Sequence, residues 1–263
     1  MLAVAKVDAN KLNTIDNVVQ FPKRKDKYED TNQRGSTEME CLYTEEEILR
    51  VKDVFQKYID EAGSIDREYN ARRNMTMYLC SINIGLRCGD ICRLKWSDVY
   101  DNDWEIKTHE KFAPQKQKKR DEYGNIIKRK YIQLIYNLDF QKAIKLWREW
   151  LLMYGYKIDL SDYMFKTNRG GHITEDMWYK TVIRNCKLAG IKQPIGTHGL
   201  RKTYGRRVYY NAKNQSRALD YLTKIFGHAS TRTTLVYIRV TDEEIADNLE
   251  DMCMFDGIDN IYK

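Results

Sequence analysis

Apolar residues recur at helical spacing along most of this 263-residue chain, and this periodicity constrains the fold more than any other feature. The first helix is predicted to begin after Thr44, because this hydroxyl cap is followed three residues later by Glu47 in a capping box. The apolar residues that share a face of this helix are Ile48, Val51, Val54, Phe55 and Ile59. Further helices are expected at about 66–84, 90–96, 138–154, 174–188, 198–210, 216–226, 231–237 and 242–252.

One stretch departs from the helical pattern. Residues 104–109 and 130–136 are predicted strands, and Ile132 and Leu134 in the second strand are expected to face the same way. The polar connection between the strands contains a turn signal, Tyr-Gly-Asn at 123–125. We therefore expect a mostly helical α+β domain with a small antiparallel β-sheet, formed by a β-hairpin with an extended tip.

Charge and cysteine content narrow the function only a little. A formal net charge of +7 favours a polyanionic partner, although many basic proteins of this size bind none. The six cysteines form no CxxC pair and no zinc-like cluster with histidine, so we expect free thiols and no bound metal. The N-terminal apolar run is too short for a signal peptide, and no segment approaches the ~20 apolar residues of a membrane span. A soluble cytoplasmic protein with no membrane partner is therefore expected.

Three short motifs contain most of the candidate catalytic residues. Arg87 follows a predicted helix end, and Asp90 one turn later is placed to hold its guanidinium by a bidentate contact. His198 and Arg201 are three residues apart, so they share a face at the start of a helix, where anions are favoured. In the third motif, a Gly-His pair is followed nine residues after the histidine by a tyrosine. Each motif is weak alone, because short motifs often arise by chance. With a lysine from the hairpin, the candidate set is Arg87, Lys111, His198, Arg201, His228 and Tyr237.

Taken in order, these motifs resemble the tyrosine recombinase (phage integrase) family. Residues 85–98 are similar to the segment that holds the first arginine of that family. Residues 198–205 are similar to its HxLR box, and residues 226–238 are similar to the segment of its nucleophile. The resemblance covers about residues 44–252 and implies a catalytic domain of this family over residues 41–252.

The resemblance implies a role for most members of the set. Arg87 and Arg201 would clamp the non-bridging oxygens of a scissile phosphate, because guanidinium forks match phosphate geometry. Tyr237 would attack phosphorus and form a 3′-phosphotyrosyl link. His198 would assist proton transfer, and His228 would hydrogen-bond the phosphate. No metal or cofactor is implied, since the bond energy stays in the covalent link.

The general acid is expected on the hairpin, where two lysines are candidates. Alignment with the preceding strand of the family favours Lys111. The hairpin is longer than usual, however, and Lys116 remains the alternative. The basic residues predicted to contact the DNA backbone are Lys116, Lys118, Lys119 and Lys202.

The two ends of the chain differ from the predicted catalytic domain. Residues 1–40 contain a basic run at 22–27 and little apolar periodicity, so we expect a flexible arm. This arm either lies along DNA or has no role. Residues 253–263 form a C-terminal tail that the family would pass to a neighbouring subunit, with packing on its own domain as the alternative. The C-terminal residues expected at that contact are Ile245, Leu249 and Phe255.

One departure from the family leaves several functions open. Most members carry a helical core-binding domain before the catalytic domain, and residues 1–40 are too few to form one. We expect a recombinase of a phage or other mobile element that cuts and rejoins duplex DNA as a dimer or tetramer. Either the chain is a minimal member that consists of the catalytic domain alone, or it needs a partner, such as an accessory DNA-binding protein, for affinity and choice of site. The second reading is a non-catalytic DNA-binding regulator on the same fold, and the third is a type IB topoisomerase.

Overall fold

The computed structural model describes residues 39–120, 122–123, 126–241 and 243–244, and of 117–120 and 126–129 it describes the backbone alone. The helices are α1 (Glu45–Asp60), α2 (Ile65–Ile84), α3 (Cys88–Cys92), α4 (Trp96–Val99), α5 (Leu138–Met153), α6 (Glu175–Leu188), α7 (Thr197–Asn211), α8 (Gln215–Phe226) and α9 (Thr231–Tyr237). The strands are β1 (His109–Phe112), β2 (Lys118–Arg120), β3 (Ile126–Arg129) and β4 (Ile132–Ile135). Most of the predicted arm, all but residues 243–244 of the helix expected at 242–252, and the C-terminal tail lie outside the described residues.

Local capping explains where several helices begin. The side chain of Thr44 accepts a hydrogen bond from the Glu47 backbone N–H, as the capping box predicted. Ser64 and Thr174 cap α2 and α6 in the same way. Where one short helix was expected at 90–96, the chain instead forms two separate turns, α3 and α4. The predicted helices therefore follow largely from residues within each helix and at its ends.

The hairpin is longer and more divided than predicted. β1 pairs antiparallel with β4, placing Glu110 opposite Leu134, and β2 pairs antiparallel with β3 as a separate two-stranded sheet. The first strand begins at His109 rather than near residue 104. Trp104 adopts a left-handed backbone with φ of 60°, and its ring packs 5.6 Å from the Tyr100 ring, so the chain turns there. The expected mostly helical fold with a small antiparallel sheet is confirmed.

Aromatic side chains from α1, α2, α5 and α6 form the centre of the apolar core. Phe55 stacks on Tyr78 at 5.1 Å between ring centroids and lies 6.2 Å from Trp178. Trp147 is buried too, and its indole N–H donates to the Met164 carbonyl at 3.2 Å. Burying each such side chain contributes roughly 1.5–3 kcal/mol, so these four helices form the stable support of the molecule.

Two further expectations concern membranes and thiols. None of the described helices is long and apolar enough to cross a bilayer. The five cysteines that the structure describes are unbridged, which agrees with the expected free thiols: Cys41, Cys80, Cys88, Cys92 and Cys186.

Candidate active site

The junction between α2 and α3 presents the first arginine. Gly85 ends α2 in a left-handed conformation with φ of 62°, and a Cβ at this position would lie 2.2 Å from the Tyr204 ring. Glycine is therefore required both by the backbone and by the close approach of α7. Two residues later, the Arg87 guanidinium donates to the Phe226 carbonyl at 3.1 Å. The turn thus directs Arg87 to the C-terminal end of α8.

The second arginine reaches the same place from α7. Arg201 is 4% exposed, and its Nη2 donates to the Ile225 carbonyl at 3.3 Å. Its guanidinium also lies 4.8 Å from the centroid of the Phe226 ring. Because Arg87 and Arg201 bind consecutive carbonyl groups, the end of α8 holds the two guanidiniums side by side.

This pair of cations creates an unusual electrostatic environment. Burial lowers the pKa of Arg201 to about 10, while the nearby Tyr237 opposes this shift and Arg87 adds to it. Desolvation and repulsion between like charges both disfavour the charged form, so an anion between the two side chains would stabilise them. A phosphate suits this position because planar guanidiniums bind its oxygens in a bidentate manner.

The turn between α8 and α9 brings a histidine and a tyrosine to the arginines. Gly227 ends α8 with φ of 74°, and the next residue, His228, makes a hydrogen bond of 3.0 Å to the Thr234 hydroxyl. The Tyr237 ring lies 4.9 Å from the His228 ring and 5.0 Å from the Phe226 ring. Tyr237 therefore sits against the same phenylalanine that both arginines contact.

Burial sets the protonation states expected at this site. It raises the pKa of Tyr237, and the charges of Arg201 and Arg87 partly oppose the shift by favouring a phenolate. It lowers the pKa of His198 and of His228, and Arg201 lowers both further. Near neutral pH the site thus holds a protonated phenol and two neutral imidazoles beside fixed positive charge.

Asp90 makes a different contact from the one predicted. We expected its carboxylate to hold the Arg87 guanidinium in a bidentate pair. Instead, among the described residues, Asp90 Oδ1 accepts a hydrogen bond of 3.0 Å from the Gln115 backbone N–H, and Arg87 acts on it only as a nearby charge. The reason is that the loop after β1 folds back over α3 and offers the buried carboxylate a backbone donor. Asp90 therefore fixes the loop that carries Lys116.

The two candidate lysines occupy different surroundings. Lys116 lies on the 3-10 turn Gln115–Gln117, and its charge is among those that lower the pKa of His198. Lys111 lies on β1, where its ammonium is 5.1 Å from the centroid of the Tyr131 ring. The structure thus brings Lys116 to the site, whereas its contact on β1 directs Lys111 to Tyr131.

The predicted DNA contacts are only partly described. Lys202 is buried rather than exposed, and its ammonium donates to the Met39 carbonyl at 2.6 Å and lies 5.5 Å from the Tyr237 ring. Lys202 thus packs against Tyr237, whereas a side chain that contacts DNA phosphates would be expected to point outward. The backbones of Lys118 and Lys119 lie in β2, but their side chains fall outside what the structure describes.

Residues 39–43, which we call the N-terminal strap, pack across α7 and were not predicted to reach the site. The Leu42 backbone N–H donates to the Thr203 hydroxyl at 2.9 Å, 161 positions away in sequence. Glu40 forms an ion pair of 3.2 Å with Arg239, two residues beyond the tyrosine. The strap therefore ties α7 to the segment that follows α9.

A buried ion pair completes this connection. Arg206 on α7 is 1% exposed and forms a 2.5 Å ion pair with Glu244. It also donates to the Arg239 carbonyl at 2.9 Å, where the chain has a left-handed φ of 62°. Sequence reasoning missed this pair, because no local motif links residues 38 positions apart.

Among the described residues, no cluster of histidine, cysteine, aspartate and glutamate could hold a metal ion.

Comparison with known proteins gives a consistent result. Residues 49–244 match the phage integrase family. Tyrosine recombinase XerC from Thermodesulfovibrio yellowstonii is 25% identical over 198 residues, which cover 73% of this chain and 58% of that protein. The probable integrase/recombinase YoeC from Bacillus subtilis is 27% identical over 174 residues, covering 65% of this chain and 80% of that protein.

Solved structures show the same fold. XerA recombinase superposes with a TM-score of 0.56 at 20% identity, over 84% of this chain and 67% of that one. XerH site-specific recombinase bound to a palindromic difH substrate superposes with a TM-score of 0.55 at 19% identity, over 84% of this chain and 54% of that one. The chain thus spans between half and two thirds of these longer recombinases.

Proposed function

This chain belongs to the phage integrase family, and on that premise we propose that it is a site-specific recombinase that cleaves and rejoins duplex DNA. One observation carries the proposal: two arginines and a tyrosine meet at Phe226. Arg87 binds its carbonyl, Arg201 lies over its ring, and Tyr237 packs against the same ring. A nucleophile beside two phosphate-binding forks is an arrangement suited to phosphodiester cleavage.

In this proposal the arginines bind the scissile phosphate. Arg87 and Arg201 are held in place before DNA arrives, because each already binds a carbonyl at the end of α8. Preorganised donors stabilise the charge that develops on the non-bridging oxygens without having to reorient during the reaction. The buried position of Arg201 strengthens this effect, since charges interact more strongly away from water.

Tyr237 is the proposed nucleophile, and its phenolic oxygen attacks phosphorus to form a 3′-phosphotyrosyl bond. The neighbouring arginines favour the phenolate that forms as the proton leaves. His198 is neutral near pH 7 and so is able to accept that proton, while His228 donates a hydrogen bond to the phosphate. The phosphotyrosyl link keeps the energy of the broken bond, so rejoining needs no nucleotide.

Lys116 is the better supported general acid for the leaving 5′-oxygen, with Lys111 as the alternative. The hydrogen bond from Gln115 to Asp90 holds the turn of Lys116 over α3, beside the segment of Arg87. Lys111 instead contacts Tyr131 on the hairpin. A loop that closes over bound DNA would bring Lys116 onto the leaving group.

Further features of the proposal concern partners and origin. XerH has been solved on a palindromic DNA substrate, and we extend DNA binding to this chain, with self-association as a dimer or tetramer. We also propose that the protein comes from a mobile element and works with an accessory DNA-binding protein. Its catalytic domain at 41–252 would follow an N-terminal arm, and its C-terminal tail would be exchanged between subunits. The protein is expected to act in the cytoplasm.

The decisive experiment captures DNA that becomes covalently attached to the protein. The protein is mixed with a library of host and mobile-element DNA, denatured, and the attached DNA is sequenced. The proposal expects adducts at a recurrent sequence that disappear in Tyr237→Phe and persist in the matched control Tyr58→Phe, an exposed tyrosine on α1. Adducts that survive in Tyr237→Phe would reject this nucleophile. If no adduct forms, but a parallel capture without denaturation enriches certain sequences equally in Tyr237→Phe, the chain would instead be a non-catalytic regulator.

A further inference from the structure

Two threonine hydroxyls connect His228 to the backbone of α8. His228 Nδ1 lies 3.0 Å from the Thr234 hydroxyl oxygen, which lies 2.8 Å from the Thr223 hydroxyl oxygen. Thr223 in turn lies 2.8 Å from the carbonyl oxygen of Leu219, one helical turn earlier. Thr234 is fully buried, so water does not compete for its hydroxyl. The three contacts thus link the imidazole to a carbonyl oxygen, which can only accept.

The number of protons in these contacts determines which ring nitrogen is protonated. Each of the three contacts needs one proton, and the two hydroxyl groups supply two of them. The Leu219 carbonyl has none, so Thr223 donates to it and Thr234 donates to Thr223. The third proton must then come from Nδ1 of His228. The Thr234 hydroxyl also lies 3.4 Å from the Ser230 carbonyl, which is longer than an ordinary hydrogen bond between two oxygens and does not compete.

We propose that Thr234 and Thr223 are positioning residues that hold the neutral His228 ring with its proton on Nδ1. The other ring nitrogen, Nε2, then carries a lone pair and can only accept. A phosphate oxygen also only accepts, so the neutral ring offers it no hydrogen bond. His228 therefore donates to the scissile phosphate, the role it has in the proposed function on which this step rests, only after Nε2 takes up a proton from solvent.

The surroundings of His228 control this uptake. Among the described residues, the charged or titratable side chains that face the ring are Arg87 from the α2–α3 junction, Arg201 from α7 and Tyr237 from α9. Without DNA the two guanidiniums repel an imidazolium, which keeps the ring neutral. A phosphodiester brings a negative charge to the same place and favours the charged ring. Both nitrogens then donate, Nδ1 to Thr234 and Nε2 to the phosphate, and a charged donor binds an anion more strongly than a neutral one.

Nuclear magnetic resonance of the full-length protein without DNA locates the proton. The histidines are labelled with ¹⁵N, and the signals that His228→Gln removes identify the ring. We expect a protonated Nδ1 in the wild type, in Thr234→Ser and in the control Thr181→Val, whose hydroxyl bonds its own helix. In Thr234→Val the proton should move to Nε2, because Nδ1 loses its acceptor. It should also move in Thr223→Val, because the Thr234 hydroxyl is then free to donate to Nδ1. A proton on Nε2 in the wild type, or an unchanged ring in either of these two variants, would overturn the proposal.

Proton uptake is measured on the DNA that the adduct experiment identifies, with Tyr237→Phe in every protein so that binding occurs without cleavage. In weakly buffered solution, a pH indicator should report about one proton taken up for each site bound. Thr234→Ser should retain this uptake, whereas Thr234→Val should lose it, because its neutral ring already carries the proton on Nε2. Equal uptake in these two variants, or none in either, would overturn the link to the phosphate. If no DNA is captured at all, the proposed function and the uptake both fail, and the resonance experiment still decides where the proton lies.

Discussion

The apolar region of α1, α2, α5 and α6 and the charged region of α7, α8 and α9 bury opposite kinds of side chain. In the apolar region the largest buried groups include Phe55 and Trp178. In the charged region Arg201, Lys202 and Arg206 are all less than a tenth exposed. Burial of aromatic surface stabilises a fold by roughly 1.5–3 kcal/mol per side chain, whereas burial of a cation costs free energy unless a partner offsets it. The first region thus supports the second, and stability and activity should be separable.

Within the charged region the partners also differ. Arg206 has a carboxylate partner in Glu244, so its burial is offset by an ion pair. Arg201 has only a backbone carbonyl and an aromatic ring as partners, and these offset the burial of its charge less than a carboxylate would. We infer that Arg206 is structural and that Arg201 is kept ready for an anion.

The largest expected effect is on rate and concerns the hairpin lysines. Lys116→Ala should slow adduct formation by roughly 10²–10⁴-fold, the usual contribution of a general acid, with unchanged stability. A substrate with sulfur in place of the leaving 5′-oxygen should restore the rate, because a thiolate leaves without protonation. Lys111→Ala is the matched control and should react normally. If instead Lys111→Ala loses the adduct rate and the sulfur-containing substrate restores it, Lys111 is the general acid.

In the apolar region the effect should fall on stability. Trp178→Ala should lower the free energy of unfolding by about 3–5 kcal/mol through lost burial and the cavity left behind. The adduct rate per folded molecule should not change. Urea denaturation followed by circular dichroism measures the first quantity, and Met177→Ala, at an exposed neighbouring position, is the control. A large fall in the rate per folded molecule would show that the two regions are not separable.

Replacing Arg201 should have the opposite effect, since the adduct rate should fall while the stability of the fold should not. Arg201→Met should lower the adduct rate by about 10²–10³-fold, the usual cost of removing one preorganised donor. Its free energy of unfolding should be unchanged or higher, because a desolvated cation has been removed. Arg201→Lys should not restore the rate, since an ammonium lacks the guanidinium fork. A clear loss of stability in Arg201→Met would mean that the buried charge holds the fold together.

Acid should produce the smallest effect. The pKa values of His198 and His228 are lowered in the folded protein, so below the ordinary histidine pKa of about 6.5 the unfolded chain binds more protons. Their contribution to stability is therefore complete above that value and is lost as the pH falls below it. Urea denaturation at pH 7.5 and pH 5.5 should show this fall, and the double variant His198→Gln/His228→Gln should show a smaller one. An equal fall in both proteins would assign it to other groups.

Sequence reasoning succeeded where the signal was local. The cap at Thr44 and the helix end at Gly85 depend on residues a few positions away, and both were readable. The charged region was harder, because α7 is polar in sequence although most of it is buried. The hydrogen bond from Gln115 to Asp90, which favours Lys116 over Lys111, depends on a folded loop. Motif order identified the arginines, histidines and tyrosine as candidates, but their supporting contacts are long-range.

The N-terminal strap has a consequence for the order in which the molecule is made. Met39 leaves the ribosome 163 positions before Lys202, whose ammonium it binds. At translation rates of roughly 5–20 residues per second, the strap waits for about 8–30 s before its partners on α7 exist. Arg239, which pairs with Glu40, emerges later still. The candidate site therefore closes only after Arg239 has been synthesised, and chains that stop before Tyr237 carry Arg87 without a completed centre.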